Sequence, residues 1–243
     1  MKHPGWKTAA LVLAVLAVTM ACDEPGRDSS ETKTVALEGA RRAEVKLKMG
    51  AGELRVRGAD QEALLEAEFR FNRERFRPDV NYRLFEDTGI LEIGHVRRRG
   101  IPLGNVRNTW DLSLTRAVPL DLDIDLGAGE SRLDLRGLAL SKVDIDMGVG
   151  EMRLDLSGPH RQSFRVKIDG GIGSVRLTLP SETGVRIKVD KGIGSVDTRG
   201  LSKQEGHYVN EAFGRSEMTI DIDIDAGIGS VDLRVEPAGR IRT

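Results

Sequence analysis

A triplet of the form Gly-apolar-Gly recurs six times along this chain, at Gly50-Ala51-Gly52, Gly127-Ala128-Gly129, Gly148-Val149-Gly150, Gly171-Ile172-Gly173, Gly192-Ile193-Gly194 and Gly227-Ile228-Gly229. The first glycines are separated by 77, 21, 23, 21 and 35 residues, so the middle four copies define a unit near 21 residues and the two long gaps hold insertions. A period of that size is one rung of a solenoid. Three residues before the first glycine stand Leu47, Ile124, Ile145, Ile168, Val189 and Ile224, and five before it stand Val45, Leu122, Val143, Val166, Ile187 and Ile222. Between these apolar columns lie charged residues such as Lys46, Asp123, Asp144, Lys167, Lys188 and Asp223. Alternation of period two with one wet face makes these segments strands. After the triplet the apolar set resumes one residue out of phase, at Leu54/Val56, Leu133/Leu135, Met152/Leu154, Val175/Leu177 and Val231/Leu233. The paired glycines therefore form a corner at which the chain bends or bulges.

Two residues before the first glycine the column reads Lys48, Asp125, Asp146, Asp169, Asp190 and Asp225. Carboxylates stacked at a strand spacing of about 4.8 Å suit shared calcium ions. The simpler reading, preferred here, makes each Asp an Asx-turn acceptor for the amides of the glycine corner, and no metal is expected. The residue after the second glycine is Glu53, Glu130 and Glu151 in three copies and Ser174, Ser195 and Ser230 in the others, which divides the rungs into two related types.

The 77-residue gap contains three further alternating segments, around residues 64–71, 80–85 and 90–93, joined by turn signals at Arg77-Pro78-Asp79 and Asp87-Thr88-Gly89. They predict a β-meander extending the rack. Between residues 69 and 107 nine arginines face five acids, and six of the ten aromatic residues fall in or beside this stretch. Arg73, Arg75, Arg77, Arg97, Arg98 and Arg99 are the candidate partner patch, suited to lipid headgroups, an anionic wall polymer or an acidic protein, although a solvated loop whose aromatics cap the core is the preferred reading. The 35-residue gap, with Gly206-His207-Tyr208-Val209, predicts a loop and one added strand.

Asn108-Thr109-Trp110-Asp111-Leu112-Ser113-Leu114, followed by Val118-Pro119-Leu120 and the run Asp121 to Gly129, resembles the toast-rack N-terminal domain of bacterial envelope proteins. The later Gly-Ile-Gly-Ser-Val segments are similar to the C-terminal domain of LiaF-like cell-envelope stress proteins and to adhesin-type repeats. The resemblance covers most of residues 36–236 and implies an all-β, parallel β-solenoid-like rack displayed at the cell envelope. It implies no catalytic residues.

The N-terminus carries Lys2 and Lys7, an apolar run from Ala9 to Val18, and then Thr19-Met20-Ala21, which is the anatomy of a secretory signal. A membrane span needs about 20 apolar residues, and this run is shorter. Val18-Thr19-Met20-Ala21-Cys22 resembles a bacterial lipobox, with Thr19 in place of the usual Leu, so Cys22, the only cysteine, is expected to be the acylated first residue of the mature protein. Loss of the two signal lysines takes the net charge from −1 to −3. The expected organisation is a signal at 1–21, a tether at 22–35, N-terminal strands and meander at 36–115, the repeat rack at 116–236 and a tail at 237–243.

This charge balance lacks the overall basic character of a dedicated nucleic-acid binder. One cysteine excludes a disulfide framework, and His3, His95, His160 and His207 share no spacing that would pair them with a nucleophile or metal. An enzyme of the β-helical polysaccharide lyase kind would draw on Arg165, Lys167, Asp169, Arg186, Lys188 and Asp190, although charged outer columns are the ordinary surface of a solenoid. The expectation is a cofactor-free, non-catalytic, exported interaction or stress-sensing module, with a surface adhesin as its alternative. Its partners would be a membrane reached through the lipid anchor and an envelope protein or anionic polymer.

Overall fold

The computed structural model describes residues 28–72, 76–95 and 107–236, which contain strands and no helix. In chain order the strands are β1 (Asp28–Ala36), β2 (Arg42–Ala59), β3 (Ala63–Asn72), β4 (Pro78–Phe85), β5 (Thr88–His95), β6 (Asn108–Thr115) and β7 (Leu120–Asp134). There follow β8 (Leu140–Asp155), β9 (Phe164–Leu179), β10 (Gly184–Arg199), β11 (Ser202–Gln204), β12 (His207–Val209) and β13 (Thr219–Val235).

The six strands that carry a glycine triplet are each folded at it into two arms. β2 shows this directly: before the triplet it pairs with β5, from Arg42 to Leu47, and after it with β6, from Glu53 to Ala59, while β7 stays beside it throughout. The arms face each other, and the apolar columns from both meet in one core. Val45, Leu47, Ile124, Ile145 and Ile168 from the first arm and Leu54, Leu133, Leu154, Leu177 and Leu233 from the second are all buried. The change of phase at the glycines is what lets a strand with two-residue periodicity aim inward on both sides of the bend. Short turns return the chain from the end of one second arm to the start of the next first arm, and Leu135, Leu138, Leu156 and Leu179 bury themselves there.

Along the rack the strand order is β2-β7-β8-β9-β13-β10, all parallel and in register from triplet to triplet. The last described strand, β13, is thus inserted between two earlier ones. The strands predicted for the first insertion are present and extend both arms: β4 and β5 form an antiparallel hairpin on the first arm, and β3, flanked by β1 and β6, continues the second. Trp110 packs edge-on against Phe69, at 5.6 Å and 87°, and closes this end of the core. The second insertion supplies two short strands rather than one, β11 and β12, which hang on the first arm of β10.

Candidate interaction surfaces

The corner is built from stacked glycines. Gly129 has φ of 136°, a region closed to ordinary L residues, and a Cβ there would fall inside the carbonyl oxygen of Gly52 on the next strand. Gly148, with no unusual φ, is equally committed, because a Cβ would strike the carbonyl of Gly127. Close backbone approach leaves room only for hydrogen at these positions, whereas a Cβ on Gly50 would meet nothing within 4 Å. The middle residue of each triplet turns outward, so that Val149, Ile172, Ile193 and Ile228 are exposed large aliphatics, and in-register pairing places them side by side.

The aspartate column does not cap this corner. The backbone runs through the triplet as strand, and two of the carboxylates take lysines instead: Lys167 Nζ donates to Asp169 at 2.6 Å and Lys188 Nζ to Asp190 at 2.5 Å. Burial, followed by the neighbouring Asp169 carboxylate, raises the Asp146 carboxyl above its ordinary range. Among the described residues no group of three or more side chains is placed to hold a metal ion.

The residues weighed for lyase chemistry are divided by the strand order. Arg165, Lys167 and Asp169 lie on β9 and Arg186, Lys188 and Asp190 on β10, with Asp221, Asp223 and Asp225 of β13 between them. Arg186 donates to Asp221 at 2.7 Å. All belong to the outer face of the first arm, where alternating signs neutralise one another.

The outer face of the second arm holds a pattern that the sequence reading passed over. Arg55, Arg132, Arg153 and Arg176 stand in register on four consecutive strands, five residues after each first glycine. Counting that column would have found them. Each has a carboxylate partner: Arg55 bonds Glu53 at 2.7 Å and Asp111 at 3.2 Å, Arg132 bonds Glu53 and Glu130, Arg153 lies 3.8 Å from Glu151 and Arg176 3.4 Å from Asp232. The hydrogen bond to Glu53 raises the Arg55 guanidinium further above its ordinary value. The ladder is a rigid, self-neutralised surface rather than an open anion site.

At the end of β5 and the start of β6, beside the corner of β2, no glycine triplet stands among the described residues. His95, Phe76 and Trp110 stack there, with ring centroids 5.2 and 4.9 Å from His95, and Asn108 Nδ2 donates to the Ala51 carbonyl at 2.5 Å. His95 Nδ1, Asn108 Oδ1 and Trp110 Nε1 are buried without hydrogen-bond partners. Burial lowers the His95 imidazole to about 4. Of the arginine patch, Arg77 is exposed beside Pro78, whereas Arg73, Arg75, Arg97, Arg98 and Arg99 lie outside the described residues, as does Cys22. A groove of about 590 Å³ crosses the return turns, but its Arg116 is held by Asp60 at 3.2 Å and by the Arg136 carbonyl at 3.4 Å.

Bent parallel strands stacked in register on glycine corners, open at both ends and closed by no barrel, define a rack. The chain belongs to the toast-rack family: the family model for the N-terminal domain of toast-rack matches residues 24–178. The model for the C-terminal domain of LiaF, described as a cell wall-active antibiotics response protein, matches residues 128–233. A solved structure of a candidate cell adhesion protein from Clostridium sporogenes ATCC 15579 is 30% identical, with a TM-score of 0.80, and covers 86% of this chain and 100% of its own. A candidate adhesin from Bacteroides fragilis NCTC 9343 is 8% identical with a TM-score of 0.37, over 85% of this chain and 96% of its own. No curated protein matches the sequence.

Proposed function

We propose that this protein is an exported envelope module, anchored by lipid at Cys22, whose rack takes part in the response to cell-envelope stress by binding rather than by catalysis. The observation that carries the reading is the match of residues 128–233, the contiguous rungs, to a domain described by its response to cell wall-active antibiotics. The signal-like N-terminus ending at Cys22 supports export. Two acyl chains are generally needed for stable anchoring, and lipobox processing supplies them. Mass spectrometry of the mature protein is expected to show a chain beginning at an acylated Cys22; an unmodified Cys22 would overturn the anchor. Cells lacking the protein are expected to differ from wild type in survival under cell wall-active antibiotics, and unchanged survival would remove the stress role.

A surface adhesin is the second reading, favoured by the clostridial relative. It requires altered attachment, rather than altered antibiotic survival, when the protein is lost. Capture of partners from detergent-solubilised envelope, comparing wild type with Arg97, Arg98 and Arg99 changed to Glu, tests whether that patch recruits them.

A further inference from the structure

The middle residues of the triplets form one row along the outside of the corner, in the order Ala51, Ala128, Val149, Ile172, Ile228, Ile193. Alanine suffices at the first two places, so the corner does not demand a larger side chain. Yet the other four are branched aliphatics, and Val149, Ile172, Ile228 and Ile193 remain 51%, 51%, 48% and 73% exposed. At about 4.8 Å per strand they make a ridge roughly 14 Å long. Contiguous exposed apolar surface of this kind marks an interaction site, whereas scattered single residues do not.

We infer that this ridge seats in the interfacial layer of a lipid bilayer. The path of the chain points to lipid. Asp28 pairs with Asn72, Phe71 with Asn108, and Thr109 with Glu53, so β1 begins level with the corner. Cys22 is six residues from Asp28 and so within about 20 Å of it along even an extended chain. The chain therefore leaves toward its N-terminus from the edge that bears the ridge, with Ile193 eight strand spacings, roughly 38 Å, farther along it. The charge along the edge agrees. Glu53, Glu130 and Glu151 flank Ala51, Ala128 and Val149, whereas Ser174, Ser230 and Ser195 flank the isoleucines. On the opposite flank Asp169 and Asp190 are paired with Lys167 and Lys188, and Asp225 stands between them. The isoleucine stretch is thus bordered by neutral serines on one side and, on the other, by two lysine-paired carboxylates and Asp225.

The inference rests on the envelope reading for the presence of a membrane, and its test is independent of Cys22. Residues 28–236 contain no cysteine and hold the buried core of the described residues, and circular dichroism of that chain is to show the strand spectrum before vesicles are added. In that chain Trp110 is buried, so Ile193→Trp adds an exposed reporter. Vesicles of phosphatidylcholine, and of phosphatidylethanolamine with phosphatidylglycerol, are expected to shift its emission to the blue. The otherwise unsubstituted chain is expected to sediment with the same vesicles. The triple variant Ile172→Thr, Ile193→Thr, Ile228→Thr keeps β-branched side chains at the corner. It is expected to partition about tenfold more weakly or worse, with an unchanged melting temperature. Absence of a shift with either vesicle, or equal partition of the triple variant, would overturn the inference. So would a ridge-dependent dimer in ultracentrifugation without vesicle binding, which would make the ridge an interface between copies. A lowered melting temperature in the triple variant would assign the isoleucines to sheet stability instead. Vesicle binding alongside an unmodified Cys22 in the mature protein would remove the anchor and leave the ridge.

Discussion

Gly50 and Gly148 occupy the same place in the repeat and stand in different surroundings. A Cβ on Gly148 would strike the Gly127 carbonyl, while one on Gly50 would meet nothing within 4 Å, because β5 stops pairing with β2 at Leu47. Gly148→Ala is expected to cost about 3 kcal/mol or more, since backbone on both strands would have to move. Gly50→Ala should stay within about 0.5 kcal/mol of wild type, or stabilise the fold by restricting the unfolded chain. Urea unfolding of the two variants checks the contrast, and equal losses would mean that the glycines serve something other than close approach. His95 makes a second residue-scale expectation. Its imidazole titrates near 6.5 in the unfolded chain and at about 4 in the fold, because burial beside Phe76 and Trp110 disfavours the charged form. The unfolded state therefore binds the extra proton between those values, so stability is complete above about pH 6.5 and falls as pH is lowered toward 4. His160, also lowered by burial, acts in the same direction. The unfolding midpoint of His95→Gln should depend less on pH over this window than that of wild type, and an unaltered slope would exclude His95 as its source.

Among the elements, the connection from β9 to β10 is the one that sequence patterning left blank. Asn210, in the second insertion, is buried against it: Nδ2 donates to the Pro180 carbonyl at 3.0 Å and the Thr183 carbonyl at 2.8 Å, and Oδ1 accepts from the Val185 amide at 2.9 Å. These bonds hold the turn that carries the chain past the place of β13. Asn210→Ala would leave a buried donor and two buried acceptors without partners, at a cost of about 2 to 3 kcal/mol. Thermal unfolding should show the loss, and hydrogen exchange should place it at Val185 and the start of β10. No period announces such a residue, because its partners lie 25 to 30 residues away, in a turn and at the start of β10. The arms were legible for the opposite reason. Burial on one face repeats every second residue, so Val143 and Ile145, or Leu177 and Leu179, declare their direction locally.

At the scale of the molecule, rungs touch only their neighbours, so the position of β13 decides how the far end is held. β13 pairs along its length with β9 on one side and β10 on the other. Removing residues 219–243 is expected to strip protection from β10 and the β11–β12 hairpin while β7 and β8 keep theirs, as hydrogen exchange of the truncated chain would show. If β10 stayed protected, it would have moved onto β9 in chain order, and the inserted strand would not be needed to hold that end. The arginine ladder on the second arm belongs to this scale too. Arg55, Arg132, Arg153 and Arg176 are neighbours only because the rungs stack in register.

The sequence by itself determined the rung: two inward-facing arms, a change of phase between them, and a corner set on paired glycines. Each of these is a steric or burial demand met within about 20 residues of chain, and it leaves its mark as a column of residue types. The tertiary structure alone decided which rung lies beside which, and with it the neighbours of every outward side chain. The Gly-Ile-Gly-Ser rungs on β9, β10 and β13 present the same register to one another, so their patterns do not distinguish chain order from the order β9-β13-β10. The turn held by Asn210 accompanies that order, and stacking in register lines up three isoleucines whose outward direction no alternation of period two could reveal, because at the corner the alternation itself is broken.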